Sequence, residues 1–440
     1  MSSQNQPAKI SRPTGRLSGA CHDAFLYVRS LPAADRRNVL GFLSYDFLDA
    51  LEHVVPHVPA IQSDQDKILA LLSQAGLAQL TEEQAKELKE TYTRSLEVAF
   101  PTTQIYLHWS HQLLGLSVDH NLVSISFPRL LQLEVASFAD ADLRDLLKEL
   151  HSAFGRIKNL SDSQGFRQVF EYYGEAVVYS LLSAKFKTKR IVAGSSSMPD
   201  FSCSLPNGKE FFVELKSFDI VDGPYRSDQM HEDAIQQQIE LERQTSRGER
   251  IATAVREVSP YKRAFGRPDE YDPRSLLTVV NALIGKARSA FKPQQFAQGP
   301  TFAFVLGDRL LLPGGKHSVA PHYFERGAGG AVISGVLWHV CFGQTGWPIF
   351  RMPDFEGRPG LEGYMSAGGL FSDPSIPFPS GALIFADTSW KEDTVLGLYA
   401  SNWRLSDPSW TVDDIEEVLR TLCSAFNDEK NSYGQLVAST

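Results

Sequence analysis

The chain has 440 residues, of which 42% are hydrophobic and 22% charged, and its net charge at pH 7 is −9. This length accommodates two domains or one large elaborated domain, and the composition is that of an ordinary globular protein rather than a disordered or fibrous one. The sequence has no apolar run of about 18 residues and no apolar signal segment at its N-terminus, so we expect a cytoplasmic protein without a membrane partner. Four scattered cysteines with no CxxC pair argue against a zinc site or a disulfide framework.

The charge is unevenly distributed along the chain. Residues 151–300 contain 21 Lys and Arg against 18 Asp and Glu, a net charge of +3, whereas the rest of the chain has 22 against 34, a net charge of −12. The middle of the sequence is therefore the basic part of an acidic protein, which is the part where a polyanionic partner would bind.

The first third of the chain has helical patterning. We expect a disordered tail over residues 1–16, which are polar and contain two prolines and a glycine, and an α-helical region over residues 17–155. Thr81 and Gln84 have the spacing of a capping box that begins a helix reaching Phe100. The run Ser137–Asp140 predicts the start of another helix, with leucines at helical spacing behind it. No catalytic motif is apparent in this region.

The helix predicted next, from Gly165 to about Ala184, carries two glutamates on an apolar stripe. A capping box at Ser161–Gln164 predicts its start. Glu171 and Glu175 share one stripe with Val178 and Leu182, and aromatic and aliphatic residues form a second stripe. A helix with two apolar stripes packs between two layers, and a glutamate buried there requires a partner.

A β-hairpin is predicted over residues 195–218 and organises the chemistry of the chain. Phe211, Val213 and Leu215 alternate with Phe212, Glu214 and Lys216, which is the period of a strand with two different faces. Glu214 and Lys216 are therefore neighbours on one face, about 6.6 Å apart along the strand.

The turn of this hairpin determines where Asp200 lies. A two-residue Asn207-Gly208 turn would place Asp200 on the opposite face from Glu214, whereas a three-residue turn starting at Pro206 pairs Asp200 with Glu214 and Phe201 with Val213. The three-residue form is a type I turn followed by a left-handed residue, and it favours proline first and glycine last, as found here. Carboxylates that face each other across strands repel, so this register predicts a cation between them.

Further helices and strands are predicted after the hairpin. The helices lie at 227–259, 276–291 and 411–426, and buried strands are expected from the apolar runs 301–306, 332–342, 382–386 and 395–400. These strands would extend or flank the sheet to which the hairpin belongs.

Pro199-Asp200, a spacer and Glu214-Leu215-Lys216 resemble the motif of the PD-(D/E)XK nuclease superfamily. The resemblance covers about residues 165–220. It implies an α/β domain over residues 156–440 with a restriction-endonuclease-like mixed sheet flanked by helices, a strand-rich C-terminal extension, and the α-helical N-terminal region before it.

The resemblance also implies a metal-dependent site. Asp200 and Glu214 would hold Mg²⁺, with Mn²⁺ as a substitute and with help from the Leu215 carbonyl, because Mg²⁺ prefers carboxylate oxygens. Lys216 would be the third catalytic residue, orienting or deprotonating the attacking water. The helix before the hairpin would contribute a further carboxylate, Glu175, with Glu171 as the alternative.

The expected activity is phosphodiester hydrolysis by a DNA endonuclease, in a restriction, phage-defence or repair setting. RNA remains open as the substrate, and so does a homodimer that would cut both strands. The alternative from another class is a catalytically vestigial nuclease-fold module that binds nucleic acid or a protein partner.

Basic residues on both sides of the hairpin are candidates for contact with the phosphate backbone. They could equally be solvated surface charges that guard an edge strand or pair with glutamates along a helix. These candidates are Lys187, Lys189, Arg190, Arg243, Arg247, Arg250, Lys262 and Arg263.

Overall fold

The computed structural model describes most of the chain. The described residues are 13–32, 40–114, 125–159, 162–192, 198–219, 227–248, 252–254, 275–310, 316–321, 323–324, 332–351, 360–374, 377–388, 393–401, 409–431 and 435–436. Residues 1–12 of the predicted tail lie outside these ranges. Across the described ranges, no helix combines the length and the apolar character needed to cross a membrane.

The chain divides into two compact units. The first comprises residues 1–120 and 126–155, and the second comprises residues 121–125 and 156–440. Each unit has its own buried apolar residues, and each is described separately below.

The first unit is helical. Its helices are α1 (Arg16–Ser30), α2 (Tyr45–Val54), α3 (Gln62–Ala75), α4 (Glu82–Ala99), α5 (Pro101–Leu114), α6 (Phe127–Ser137) and α7 (Ala141–Arg156). The Thr81–Gln84 capping box is confirmed, since each side chain bonds the other residue's backbone N–H. The start predicted at Ser137–Asp140 is refined, because Asp140 accepts the Leu143 amide just before α7 begins.

The second unit contains an eight-stranded mixed sheet. Its strands are β1 (Lys187–Arg190), β2 (Phe201–Ser204), β3 (Glu210–Asp219), β4 (Thr301–Arg309), β9 (Ala382–Asp387), β10 (Thr394–Tyr399), β11 (Ala425–Asp428) and β12 (Gln435–Leu436), in that spatial order. The β1–β2–β3 meander is antiparallel, and β3, β4 and β9 are parallel. Two short ribbons, β5 (Tyr323–Phe324) with β6 (Val332–Ile333) and β7 (Pro348–Phe350) with β8 (Leu361–Tyr364), lie outside this sheet. The coarse α/β class expected from the sequence is therefore present.

Helices cover both faces of this sheet. The second unit has the helices α8 (Ser163–Ser183), α9 (Ser227–Ser246), α10 (Leu276–Ala290), α11 (Val336–Phe342) and α12 (Val412–Leu422), of which α8, α10 and α11 supply the packing described next. One face, here called the Glu214 face, carries Ala303 and Val305 and packs in one apolar cluster with α10 and α11. The opposite face, called the Val213 face, packs against α8, which Gly174 lets approach closely, since a Cβ there would lie 2.9 Å from Leu306. Because both faces are covered, β4 is buried over nearly its whole length.

Several predicted elements are confirmed and four are corrected. The strands expected at 301–306, 382–386 and 395–400 are present, as is the helix at 276–291. The run 332–342 is instead a two-residue strand followed by α11, in which every residue is buried. A short apolar run has the same pattern in a buried helix and in a buried strand, so periodicity could not separate them.

The other three corrections concern helix ends. The helix expected at 227–259 ends at Ser246, and residues 252–254 are not helical. The terminal helix stops at Leu422 rather than 426, and the next residues form β11. At α8 the cap is Asp162, whose carboxylate accepts the Gly165 amide at 2.9 Å, rather than Ser161, which lies outside the described residues. Both residue types favour the cap position, so the sequence defined the helix start only to within one residue.

Candidate active site

The hairpin turn that determines the site has the predicted geometry. The Gly208 amide donates to the Leu205 carbonyl at 2.9 Å, and Gly208 has a φ of 87°, in the left-handed region. The register that follows pairs Phe201 with Val213 and Ser202 with Phe212. The prediction of a three-residue turn is confirmed.

Asp200 lies at the end of this ladder rather than within it. The predicted Asp200–Glu214 pair does not form, because the Asp200 amide donates at 3.0 Å to Val213, the residue that also faces Phe201. Two consecutive residues, Asp200 and Phe201, thus face one residue of β3, which is the arrangement of a β-bulge. A bulge changes the direction of the side chains beside it. The Asp200 carboxylate now turns along β3, and its Oδ2 accepts the Leu215 amide at 2.7 Å.

Glu214 is the most enclosed group of the site. It is 1% exposed on the Glu214 face, where the Lys216 ammonium and the Gln295 amide nitrogen both donate to its Oε1. Its other oxygen, Oε2, is buried without a hydrogen-bond partner among the described residues. An orphaned carboxylate oxygen in a buried position is costly unless a donor or a cation satisfies it.

The electrostatics of the two carboxylates disfavour negative charge. Burial, and then the nearby Asp200 charge, raise the pKa of Glu214 to about 7, against the opposing effect of Lys216. Burial also raises the pKa of Asp200, although the Leu215 amide and the charges of Lys216 and Arg190 oppose it. A divalent cation would reverse both effects, because it stabilises the ionised form of each carboxylate.

Gln295 is the member of this site that the sequence did not indicate. It lies in a single 3₁₀ turn, Pro293–Phe296, which is 81 residues beyond Glu214. No motif marks this glutamine, and its role depends on a long-range contact, so only the folded structure brings it to the site.

The two helix carboxylates differ in their exposure and in their partners. Glu175 of α8 is half-buried and forms an ion pair with Arg190, Oε2 to Nη2 at 3.1 Å, while Glu171 is exposed. Arg190 is in register with Phe201, so this ion pair belongs to the Val213 face, opposite to Glu214 and Lys216. Within the described ranges, no group of three or more His, Cys, Asp or Glu side chains could hold a metal ion.

The basic candidates have different environments. Lys187 and Lys189 are exposed, and they are in register with Ser204 and Ser202 on the Glu214 face, whereas Arg190 is turned away and paired with Glu175. Arg243 on α9 and Arg247 in the turn after it are exposed, and Arg243 forms an ion pair with Glu240 at 3.5 Å. The other candidates, Arg250, Lys262 and Arg263, lie outside the described residues.

A cavity of about 740 Å³ lies at the turn end of the β2–β3 hairpin. It is lined by Phe212, by the turn residues Gly208 and Lys209, by Gly299 of the segment leading into β4, and by Trp410. Phe212 is two residues from Glu214 on the same face of the strand. Among the described residues, its lining does not include Asp200, Glu214 or Lys216.

Comparison with known proteins adds no assignment, since no family model, curated protein or solved structure is significantly similar to this chain. What the site can do therefore follows from its own chemistry. A buried carboxylate with an ammonium group beside it and a second, half-buried carboxylate in its electrostatic neighbourhood can bind a hard cation and hold a water molecule near it.

Proposed function

We propose that this protein is a Mg²⁺-dependent nuclease of the PD-(D/E)XK type, with a restriction-endonuclease-like second unit and DNA as its substrate. The observation that carries the proposal is the environment of Glu214, a buried carboxylate with one oxygen held by two donors and the other oxygen orphaned. The helix before the hairpin and the parallel strands after it supply the structural context of the motif.

The residues present fit a hard divalent cation. Glu214 would bind it through Oε2, and Asp200 would supply the second carboxylate from the end of β2. Mg²⁺ is commonly held by one or two carboxylates, with waters and substrate phosphates completing its coordination, so two protein carboxylates are sufficient. The cation would provide Lewis-acid stabilisation of the charge that develops on the phosphate.

The remaining roles belong to the side chains around Glu214. Lys216 is 29% exposed, so its ammonium group reaches from Glu214 toward solvent, where it would orient the attacking water and stabilise the negative phosphate. The exposed Lys187 and Lys189 on the same face would contact the backbone of the nucleic acid. In this proposal Arg190 acts differently from the sequence expectation, by neutralising Glu175.

A second candidate function is a vestigial nuclease fold that binds nucleic acid or a protein partner without cleaving it. The observation that favours it is the ion pair between Glu175 and Arg190, which occupies the carboxylate that was expected to support the metal. Under this reading Lys216 would serve only to neutralise Glu214.

Plasmid cleavage separates the two functions. The full-length protein should cleave DNA with Mg²⁺ and not with EDTA, and Lys216→Ala should slow cleavage by at least about 100-fold, the usual contribution of a positioned proton-transfer group. Lys185→Ala, at an exposed lysine between α8 and β1, is the matched control and should cleave normally. Binding of DNA without Mg²⁺-dependent cleavage would favour the vestigial module, and an RNA substrate in the same assay would test the choice of nucleic acid.

A further inference from the structure

Glu214 is held from one side by a residue that lies in neither the hairpin nor its helix. Gln295 is 9% exposed and donates its side-chain amide to Oε1 of Glu214. This contact joins the 3₁₀ turn after α10 to the centre of β3.

The orientation of the Gln295 side chain is determined by its own turn. Its Oε1 accepts the Lys292 amide at 2.7 Å, and its backbone N–H donates to the Lys292 carbonyl at 3.0 Å. Because the oxygen is engaged with an N–H donor, the NH₂ group is the end that faces Glu214. The amide therefore presents a donor and not an acceptor to the carboxylate.

The segment that follows the Gln295 turn is attached to β3. The Phe212 amide donates to the Pro300 carbonyl at 2.7 Å, just before β4 begins. A Cβ at Gly299 would lie 3.1 Å from the Phe212 ring, so this segment packs closely against the strand. The segment on the C-terminal side of Gln295 is thus fixed against β3.

The contact is asymmetric at the carboxylate. Lys216 and Gln295 both donate to Oε1, and Oε2 is left buried without a hydrogen-bond partner in the described part of the chain. An amide donor fixes the carboxylate without adding positive charge, whereas a second lysine or arginine here would repel a cation.

We propose that Gln295 is a positioning residue of the site: it fixes the rotation of the Glu214 carboxylate so that Oε2 is presented to a divalent cation. This inference rests on the proposed function, because it assumes that Glu214 is a metal ligand. It assigns to a glutamine outside the motif the outer-shell role that often determines metal affinity.

The test is Mn²⁺ binding to the full-length protein, measured by the loss of the free Mn²⁺ signal in electron paramagnetic resonance. Gln295→Met keeps an unbranched side chain without the donor, and Gln295→Leu also changes its shape. We expect both variants to bind Mn²⁺ about 10–100-fold more weakly than the wild type, as is usual for loss of an outer-shell partner. The neighbouring Gln294→Ala, at an exposed position of the same turn, is the matched control and should bind as the wild type does.

Melting temperatures separate positioning from packing. A packing role would lower the melting temperature of Gln295→Leu more than that of Gln295→Met, and it would leave the Mn²⁺ affinity of a folded Gln295→Met intact. If Gln295→Met does not fold, Gln295→Leu provides the same comparison of affinity.

The outcomes distinguish this inference from the proposed function. Wild-type affinity in the Gln295 variants, together with weakened binding in Glu214→Gln, would overturn the positioning role alone. A wild-type protein that binds no Mn²⁺, or a Glu214→Gln variant that binds normally, would overturn the proposed metal site and this inference with it.

Discussion

Two buried carboxylates of the second unit differ in how their oxygens are satisfied. Asp308 on β4 is 5% exposed, and Thr388 satisfies both of its oxygens, the amide at 2.6 Å and the hydroxyl at 2.7 Å. Glu214 is equally buried, yet both of its donors share one oxygen. Asp308 therefore has the contacts of a structural group, and Glu214 has those of a group that awaits a further partner.

The pKa of Asp308 predicts a pH-dependent stability. Burial raises this pKa to about 7, against about 3.9 in an unfolded chain. Between these two pH values the folded protein binds more protons than the unfolded chain. The stabilisation that Asp308 gives the folded protein is therefore complete below the unfolded pKa and is lost as the pH rises through about 7.

Asp308→Asn should remove this loss. From pH 5 to pH 8, the free energy of unfolding of the variant should increase relative to that of the wild type. The increase is at most about 1.4 kcal/mol for each pH unit over which Asp308 is protonated in the folded protein and ionised in the unfolded chain. Urea unfolding at the two pH values measures the change, with Glu210→Gln at an exposed carboxylate as the control. Parallel pH profiles for Asp308→Asn and the wild type would show that Asp308 is ionised when folded.

At the scale of elements, the sequence predicted the β2–β3 hairpin because the turn and the strands depend on neighbouring residues. Proline first and glycine last selected the three-residue turn, and the alternation of apolar residues defined the two faces. The bulge at Asp200 was not predictable in the same way, since it arises where β2 ends and no residue type marks it. Gln295 was missed for a related reason, because its contact joins positions 81 residues apart.

Alanine substitutions at two glycines should change the stability of the protein in opposite directions. An added Cβ meets no atom within 4 Å at either Gly208 or Gly285, but only Gly208 has a positive φ. Gly208→Ala should therefore destabilise the protein by about 1–2 kcal/mol. Gly285→Ala, in the interior of α10, should stabilise it by about 0.4–1 kcal/mol. Denaturant unfolding measures both, and equal effects at the two sites would contradict the turn assignment.

The ion pair between α8 and β1 gives a further prediction. Because Glu175 is paired with Arg190 on the Val213 face, Glu175→Gln should weaken Mn²⁺ binding much less than Glu214→Gln does. A double-mutant cycle with Arg190→Gln should show a coupling of about 1 kcal/mol or less, since the pair is partly exposed to solvent. If Glu175→Gln abolished Mn²⁺ binding, the helix carboxylate would be a ligand and would have to leave Arg190.

Across the whole molecule, the fold and function of the two units could be predicted from the sequence to different extents. The helices of the first unit were predictable from caps and periodicity, but their arrangement has no motif that indicates a function. In the second unit the α/β class was predictable from the apolar runs. The helix α11 and the strand β11 were not, because their conformations depend on packing contacts that the spacing of apolar residues does not reveal.

The division into units predicts that the site is self-contained. The two residues that donate hydrogen bonds to Glu214, Lys216 and Gln295, belong to the second unit, which has its own apolar core. A fragment of residues 156–440 should therefore bind Mn²⁺ with the affinity of the full chain, as measured by titration calorimetry. Loss of binding in a fragment that still melts cooperatively would show that residues 1–155 contribute to the site.

The most direct test of the central claim is the anomalous difference density of a crystal soaked in Mn²⁺. We expect one strong peak between the Asp200 and Glu214 carboxylates, within about 2.0–2.3 Å of Glu214 Oε2, close to the bond lengths usual for small hard cations. Absence of a peak there, with Oε2 hydrogen-bonded to another protein group, would contradict it.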